Sequence, residues 1–98
     1  MSVIQDPDNL EMPIILDFAG NLDDKTVLEI GCGDGRLTER LARQAAHVVA
    51  IDPNQEKIES ARGQLPADLK EKVEYRAVGM EEFRPERRFD LALVSWSL

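Results

Sequence analysis

Four short apolar runs, Thr26–Ile30, His47–Ile51, Val73–Ala77 and Phe89–Ser95, alternate with segments of helical period or polar connection. This alternation restricts the fold more than any other feature. Runs of five to seven residues suit strands and are too short for core helices. Thr26-Val27-Leu28-Glu29-Ile30 and His47-Val48-Val49-Ala50-Ile51 are almost continuously apolar, the pattern of strands buried on both faces of a parallel sheet. Between them Leu37, Leu41 and Ala45 recur at i, i+4 and i+8, which predicts a helix over 36–46 with Arg36, Glu39, Arg40 and Arg43 facing away. Ile58, Ala61 and Leu65 predict a second helix, ended by Gly63 or Pro66. Val73, Tyr75 and Ala77 alternate with Glu74 and Arg76, so the third strand has one exposed face and sits at an edge. A polar connection over 79–85 leads to the fourth strand. Such a βαβ series predicts a doubly wound parallel sheet, with right-handed crossovers laying helices on both faces. The expected count is four strands.

Residues 1–25 read as a lead-in: a polar start, then a short helix over 12–19 carrying Ile15, Leu16 and Phe18, stopped by Gly20-Asn21. With 98 residues in all, the chain is read as one partial domain, 1–98. Twelve Lys and Arg against nineteen Asp and Glu leave a net charge of −7. That balance opposes nucleic-acid binding, which needs clustered cations to displace counterions. No apolar run approaches the ~18 residues of a membrane span, and the first residues have neither the basic nor the apolar part of a signal peptide. The single cysteine, Cys32, excludes an intrachain disulfide and fits a reducing compartment, read as the cytoplasm.

The first strand-to-helix turn is Glu29-Ile30-Gly31-Cys32-Gly33-Asp34-Gly35. Three glycines in five residues carry an entropic cost, so either backbone approaches a ligand closely there or the chain merely turns tightly. Dinucleotide sites read G-x-G-x-x-G, whereas these glycines read G-x-G-x-G. Glu29 and Asp34 beside the loop would repel a pyrophosphate and suit an ammonium or sulfonium. Asp52 closes the second strand 21 positions after Gly31, where a carboxylate can accept hydrogen bonds from a ribose diol. Asp52-Pro53 could equally cap the following helix. Cys32 has no partner base nearby, and His47 reads as a surface turn residue, so neither is assigned catalysis.

The run Val27 to Gly35 followed by a helix, with Asp52 ending the next strand, resembles motifs I and II of class I S-adenosylmethionine-dependent methyltransferases. The resemblance covers Asp17 to Leu98. It implies a Rossmann-like sheet, of which four of seven strands are present, and S-adenosylmethionine as cofactor. Gly31, Cys32, Gly33 and Gly35 would pass under the methionine part, Glu29 would meet its ammonium directly or through water, and Asp52 would bind the ribose hydroxyls. Pro53 would touch the adenine face. The aspartate that such proteins often place after the third strand is absent, with Gly79 nearest its position; Met80 and Glu81 are the substitutes, Glu82 standing beside them. Ser95-Trp96-Ser97-Leu98 would border the transferred methyl and lacks the Asn/Asp-Pro-Pro-aromatic signature of enzymes acting on amino groups of bases. A nitrogen of a base or of glutamine is therefore disfavoured as acceptor, and a small molecule is expected.

Three readings follow from the same residues. The chain is the cofactor-binding half of a methyltransferase, as a fragment or split subunit; or a non-catalytic binding or interaction module; or an NAD(P)-binding fragment, which the glycine spacing weakens. If the fourth strand ends the sheet, its bare outer edge should recruit a partner chain or self-associate.

Overall fold

The computed structural model describes residues 2–6 and 22–95. Its elements are β1 (Ser2–Asp6), β2 (Thr26–Ile30), α1 (Arg36–Gln44), β3 (His47–Asp52), α2 (Gln55–Gln64), a 3-10 turn (Ala67–Leu69), β4 (Val73–Ala77) and β5 (Leu91–Ser95). The strands form one sheet in the order β1-β5-β2-β3-β4, and every pairing is parallel. All four expected strands are present, with β4 at an edge as its alternation requires.

The fifth strand, β1, was not expected from the polar lead-in. It pairs along the outer side of β5 from Ser2↔Leu91 to Asp6↔Ser95. The edge of the fourth strand that the sequence left bare is thus occupied, and the premise for recruiting a partner there is corrected. The helix expected over 12–19 and the segment 96–98 lie outside the described residues.

Core packing follows strand parity. Val27, Val48, Ala50, Val73, Tyr75, Leu91 and Leu93 share a buried cluster with Leu37, Leu41, Ala42 and Ala45 around α1 and with Ile58 and Ala61 of α2. Leu28, Val49, Ile51 and Ala92 point the other way, under Ile30, Val78, Phe83 and Phe89. Both described α-helices therefore lie on one face, not on two as expected. The reason is direction. From β2 through β3 to β4 the chain steps the same way across the sheet, and successive right-handed crossovers keep α1 and α2 on the same side. Only the return from β4 to β5 reverses, and the loop carrying Phe83 and Phe89 makes that passage over the second face.

Element ends have local causes. Ala45 turns extended, with its N–H donating to Leu41 O at 2.7 Å, so α1 stops two residues short of the expected 46. Gly63 lies inside α2, and the helix ends where Leu65 becomes extended ahead of Pro66, whose ring disfavours helical backbone in the residue before it. The start of β5 is tied to β2 twice: Asp90 N–H donates to Thr26 O, and Thr26 N–H to the Asp90 carboxylate, each at 2.8 Å. At the β4 edge the Arg62 guanidinium donates to Tyr75 O at 2.7 Å, satisfying an outward carbonyl that could template another strand.

Candidate functional site

Parallel register brings the carboxyl ends of the strands to one rim. Ile30 pairs with Ile51 and with Val94, and Asp52 pairs with Ala77, so the segments leaving β2, β3 and β4 emerge side by side. The chain leaves β2 toward β3 on one side, while β5 lies on the other. That makes the end of β2 a topological switch point, where open α/β sheets leave a ligand crevice.

The glycine loop fills this position. Its start is held by Gly31 N–H and Cys32 N–H, which both donate to Ile51 O at 2.8 and 3.1 Å. Gly31, Gly33 and Gly35 all have positive φ, at 80°, 57° and 86°. The left-handed conformation alone requires glycine at each, which explains the spacing whether or not a ligand approaches. Gly35 N–H donates to Cys32 O at 3.1 Å, and Gly35 then serves as the N-cap of α1 without a side chain to offer. Asp34 supplies one from outside the helix, its Oδ1 accepting from Arg36 N–H at 3.3 Å.

Asp52 locks the loop to the next strand. Its Oδ2 accepts from Gly33 N–H at 2.9 Å and its Oδ1 from Asn54 N–H at 2.8 Å, and the residue is 7 % exposed. It does not cap α2. That role belongs to Asn54, whose Oδ1 accepts from Lys57 N–H at 3.1 Å, so Pro53 precedes the cap and is not the first helical residue. Each carboxylate oxygen has a second lone pair, so the bonds within the chain leave Asp52 able to accept from a diol.

Glu29 is 0 % exposed, as is Thr38 on the first turn of α1, and the Thr38 hydroxyl donates to Glu29 Oε1. Cys32 is buried in the core cluster, so only its backbone faces the crevice. Burial, reinforced by the Glu29 and Asp52 charges, pushes its thiol far above the ordinary range, which rules out a nucleophilic thiolate at neutral pH. At the neighbouring rim, Gly79 comes near Pro53: a Cβ added there would lie 4.0 Å from Pro53 Cβ. Met80 follows at 61 % exposure, the large apolar side chain most open to solvent among the described residues. Glu81 and Glu82 are exposed in a turn in which Gly79 O accepts from Glu82 N–H and Phe83 N–H at 3.1 and 3.0 Å. The structure thus brings the glycine loop, Asp52 and Pro53 together, with Glu29 buried behind the loop against Thr38, and with Met80 and Glu81 exposed in the turn that follows Gly79.

His47 begins β3, at the opposite end from Asp52 and about 17 Å away along the strand. Burial first, and the Arg87 charge second, lower its pKa, and it plays no part at this rim. Two grooves of about 420 and 500 Å3 lie under and beside the β4–β5 loop and are lined by Arg76, Phe83 and Glu86 among others. None of the expected cofactor residues lines either.

The methyltransferase domain family matches residues 27–98. The chain belongs to that family. It is 44 % identical over 68 residues to a ubiquinone biosynthesis O-methyltransferase of Bradyrhizobium diazoefficiens, covering 68 % of this chain and 26 % of that protein. The human mitochondrial ubiquinone biosynthesis O-methyltransferase is 40 % identical over 73 residues, covering 70 % of this chain and 20 % of the relative. The chain therefore spans about a quarter or less of these relatives' length. In three dimensions it is similar to an S-adenosylmethionine dependent methyltransferase from Mesorhizobium loti, with a TM-score of 0.71 and 21 % identity over 86 % of this chain and 38 % of the other. This likeness confirms the Rossmann-like methyltransferase fold that motifs I and II implied. No described helix of this methyltransferase domain is long and apolar enough to cross a membrane.

Three residues at the rim were missed from sequence. Thr38 sits beside the apolar stripe of α1, and a polar residue next to Leu37 and Leu41 was its only signal. Tyr75 counts as one apolar position of an alternating strand, yet its hydroxyl reaches beneath Gly35 and is buried beside the Thr38 hydroxyl. Asn54, the N-cap of α2, follows an Asp52-Pro53 pair that has the sequence form of a cap and first helical proline, so nothing local singles it out.

Proposed function

We propose that the chain is the cofactor-binding part of an S-adenosylmethionine-dependent methyltransferase and that the ligand lies across the rim at the end of β2. The observation that carries this is the bond from Gly33 N–H to Asp52 Oδ2, which couples the left-handed glycine loop to the carboxylate of the next strand at the switch point. The donor set fits the ligand. Glu29, Asp34 and Asp52 make the rim acidic, which matches a sulfonium and an ammonium and opposes a pyrophosphate. The nicotinamide alternative loses on that ground as well as on spacing.

In this reading Gly31, Cys32, Gly33 and Gly35 present backbone to the methionine part, with Glu29 behind them opposite the ammonium. Asp52 accepts from the ribose hydroxyls. Pro53 and Met80 bracket the adenine, and Glu81 accepts from its amino group. When bound, the cofactor supplies a methyl already activated by positive sulfur. The protein then has to orient it in line with an incoming nucleophile and keep water out, an effect worth several kcal/mol. Relatives named for O-methylation support a small-molecule hydroxyl as acceptor. Such a hydroxyl oxygen would take the methyl group that the bound cofactor supplies and would give up its proton. The single buried thiol supports a reducing compartment such as the cytoplasm.

Calorimetric titration of the 98-residue chain with S-adenosylmethionine tests the ligand. Binding by the wild type that is weakened in Asp52→Ala is expected. Absence of heat in the wild type, or equal binding by the variant, removes this reading and favours the non-catalytic module.

A further inference from the structure

Glu29 is a fully buried carboxylate, positioned on the helix-facing side of β2 two residues after Val27. Burying a charge is costly unless hydrogen bonds replace the lost water. The Thr38 hydroxyl donates to it, and Thr38 is itself fully buried, although a β-branched hydroxyl residue is a mediocre choice in a helix. Thr38 is the third residue of α1, so its hydroxyl reaches Glu29 directly after the chain has made the glycine turn. On the adjoining side, the Tyr75 hydroxyl is buried against Gly35, which limits how the helix start can shift. The pair joins the strand before the loop to the helix after it, one on each flank of the three glycines.

We propose that Thr38 is a positioning residue, whose hydroxyl fixes the Glu29 carboxylate in the orientation that serves the ligand's ammonium and thereby sets affinity for the amino-acid half of the ligand but not for its nucleoside half. This rests on the cofactor reading above. A purely structural Thr38 would instead affect both halves alike, since any loosening of the loop reaches the ribose through Gly33 and Asp52.

Two probes separate these roles: S-adenosylhomocysteine, and the same thioether carrying hydrogen in place of the amino group. In the 98-residue chain, Thr38→Val is expected to weaken the first about 10-fold, as for loss of one hydrogen bond to a charged group, and to leave the second within about 2-fold. Thr38→Ser, which keeps the hydroxyl, restores most of the loss. In a Glu29→Gln background, Thr38→Val leaves the ratio of the two affinities unchanged. Equal weakening of both probes by Thr38→Val, no weakening of either, or failure of Thr38→Ser to rescue overturns the proposal. Should Thr38→Val unfold the chain, Thr38→Ala decides by the same ratio. A wild type that binds neither probe overturns the cofactor reading itself, a result distinct from binding with an unselective loss.

Discussion

Gly35 closes the glycine loop against the Tyr75 hydroxyl: a Cβ added at Gly35 would overlap the phenol oxygen and stand 3.1 Å from Ala61 Cβ. With φ at +86°, the position is also strained for any other residue. Gly35→Ala is therefore expected to destabilise the fold by about 2–4 kcal/mol, combining left-handed strain with overpacking. Removing the hydroxyl in Gly35→Ala/Tyr75→Phe should return about 1 kcal/mol, a coupling that denaturant midpoints of the four-member cycle would detect. Strict additivity would mean that the two groups do not meet.

Asp52 has a structural duty and a proposed ligand duty. Asp52→Ala removes the acceptor for Gly33 and Asn54 and is expected to cost about 3 kcal/mol of stability. Asp52→Asn retains one carbonyl acceptor and should lose less stability while still weakening nucleoside binding. Urea unfolding run beside calorimetry distinguishes them, and parallel losses in both variants would argue that Asp52 acts only on the fold.

Asn54 gives the contrasting case. Asn54→Ala deletes the cap of α2 and is expected to cost about 1 kcal/mol. Ligand affinity should stay unchanged, because the cap faces the helix and not the loop. A marked loss of affinity would place Asn54 in the binding rim.

His47 makes stability depend on pH. Burial lowers its pKa in the folded chain below the ordinary value of 6.5, so the unfolded chain takes up the proton first. Folding stability is then full above the unfolded value and falls over the pH interval just below about 6.5. His47→Gln should flatten the stability curve over that interval. An unchanged slope would show that carboxylates alone govern it.

Cys32 should be inert in the folded chain. Its buried thiol, raised further by Glu29 and Asp52, is expected to resist an aromatic disulfide reagent at pH about 8 and to react fully in denaturant. Rapid modification of the native chain would contradict the burial.

The strand core was legible because Val27, Val48, Ala50 and Leu93 are short apolar runs that few other structures could bury. The glycine loop and Asp52 were legible from spacing. What escaped was set by tertiary contact. Nothing local marks the Tyr75 hydroxyl as the neighbour of Gly35, and only the pairing of strands far apart in sequence places it there. The two-faced arrangement of helices failed for a related reason: periodicity identifies α1 and α2 but not the direction in which successive strands are laid down. β1 escaped because Ser2–Asp6 is mixed in polarity and is a strand only through its backbone pairing with β5.

The position of β5 between β1 and β2 has a consequence for how the protein assembles. Residues 91–95 must slot between strands 2–6 and 26–30, bridging sequence separations of 89 residues to β1 and 64 to β2, from Ser2↔Leu91 and Val27↔Leu91. During synthesis, β2, α1, β3, α2 and β4 can dock in order as they emerge, since each meets a neighbour made shortly before. The described interfaces of β1 and of β2 with β5 must wait for β5, and such non-local pairings are the slow ones. Until β5 arrives, the exposed side of β2 is a vacant seam in a half-built sheet, the stage at which a nascent chain of this design most needs protection.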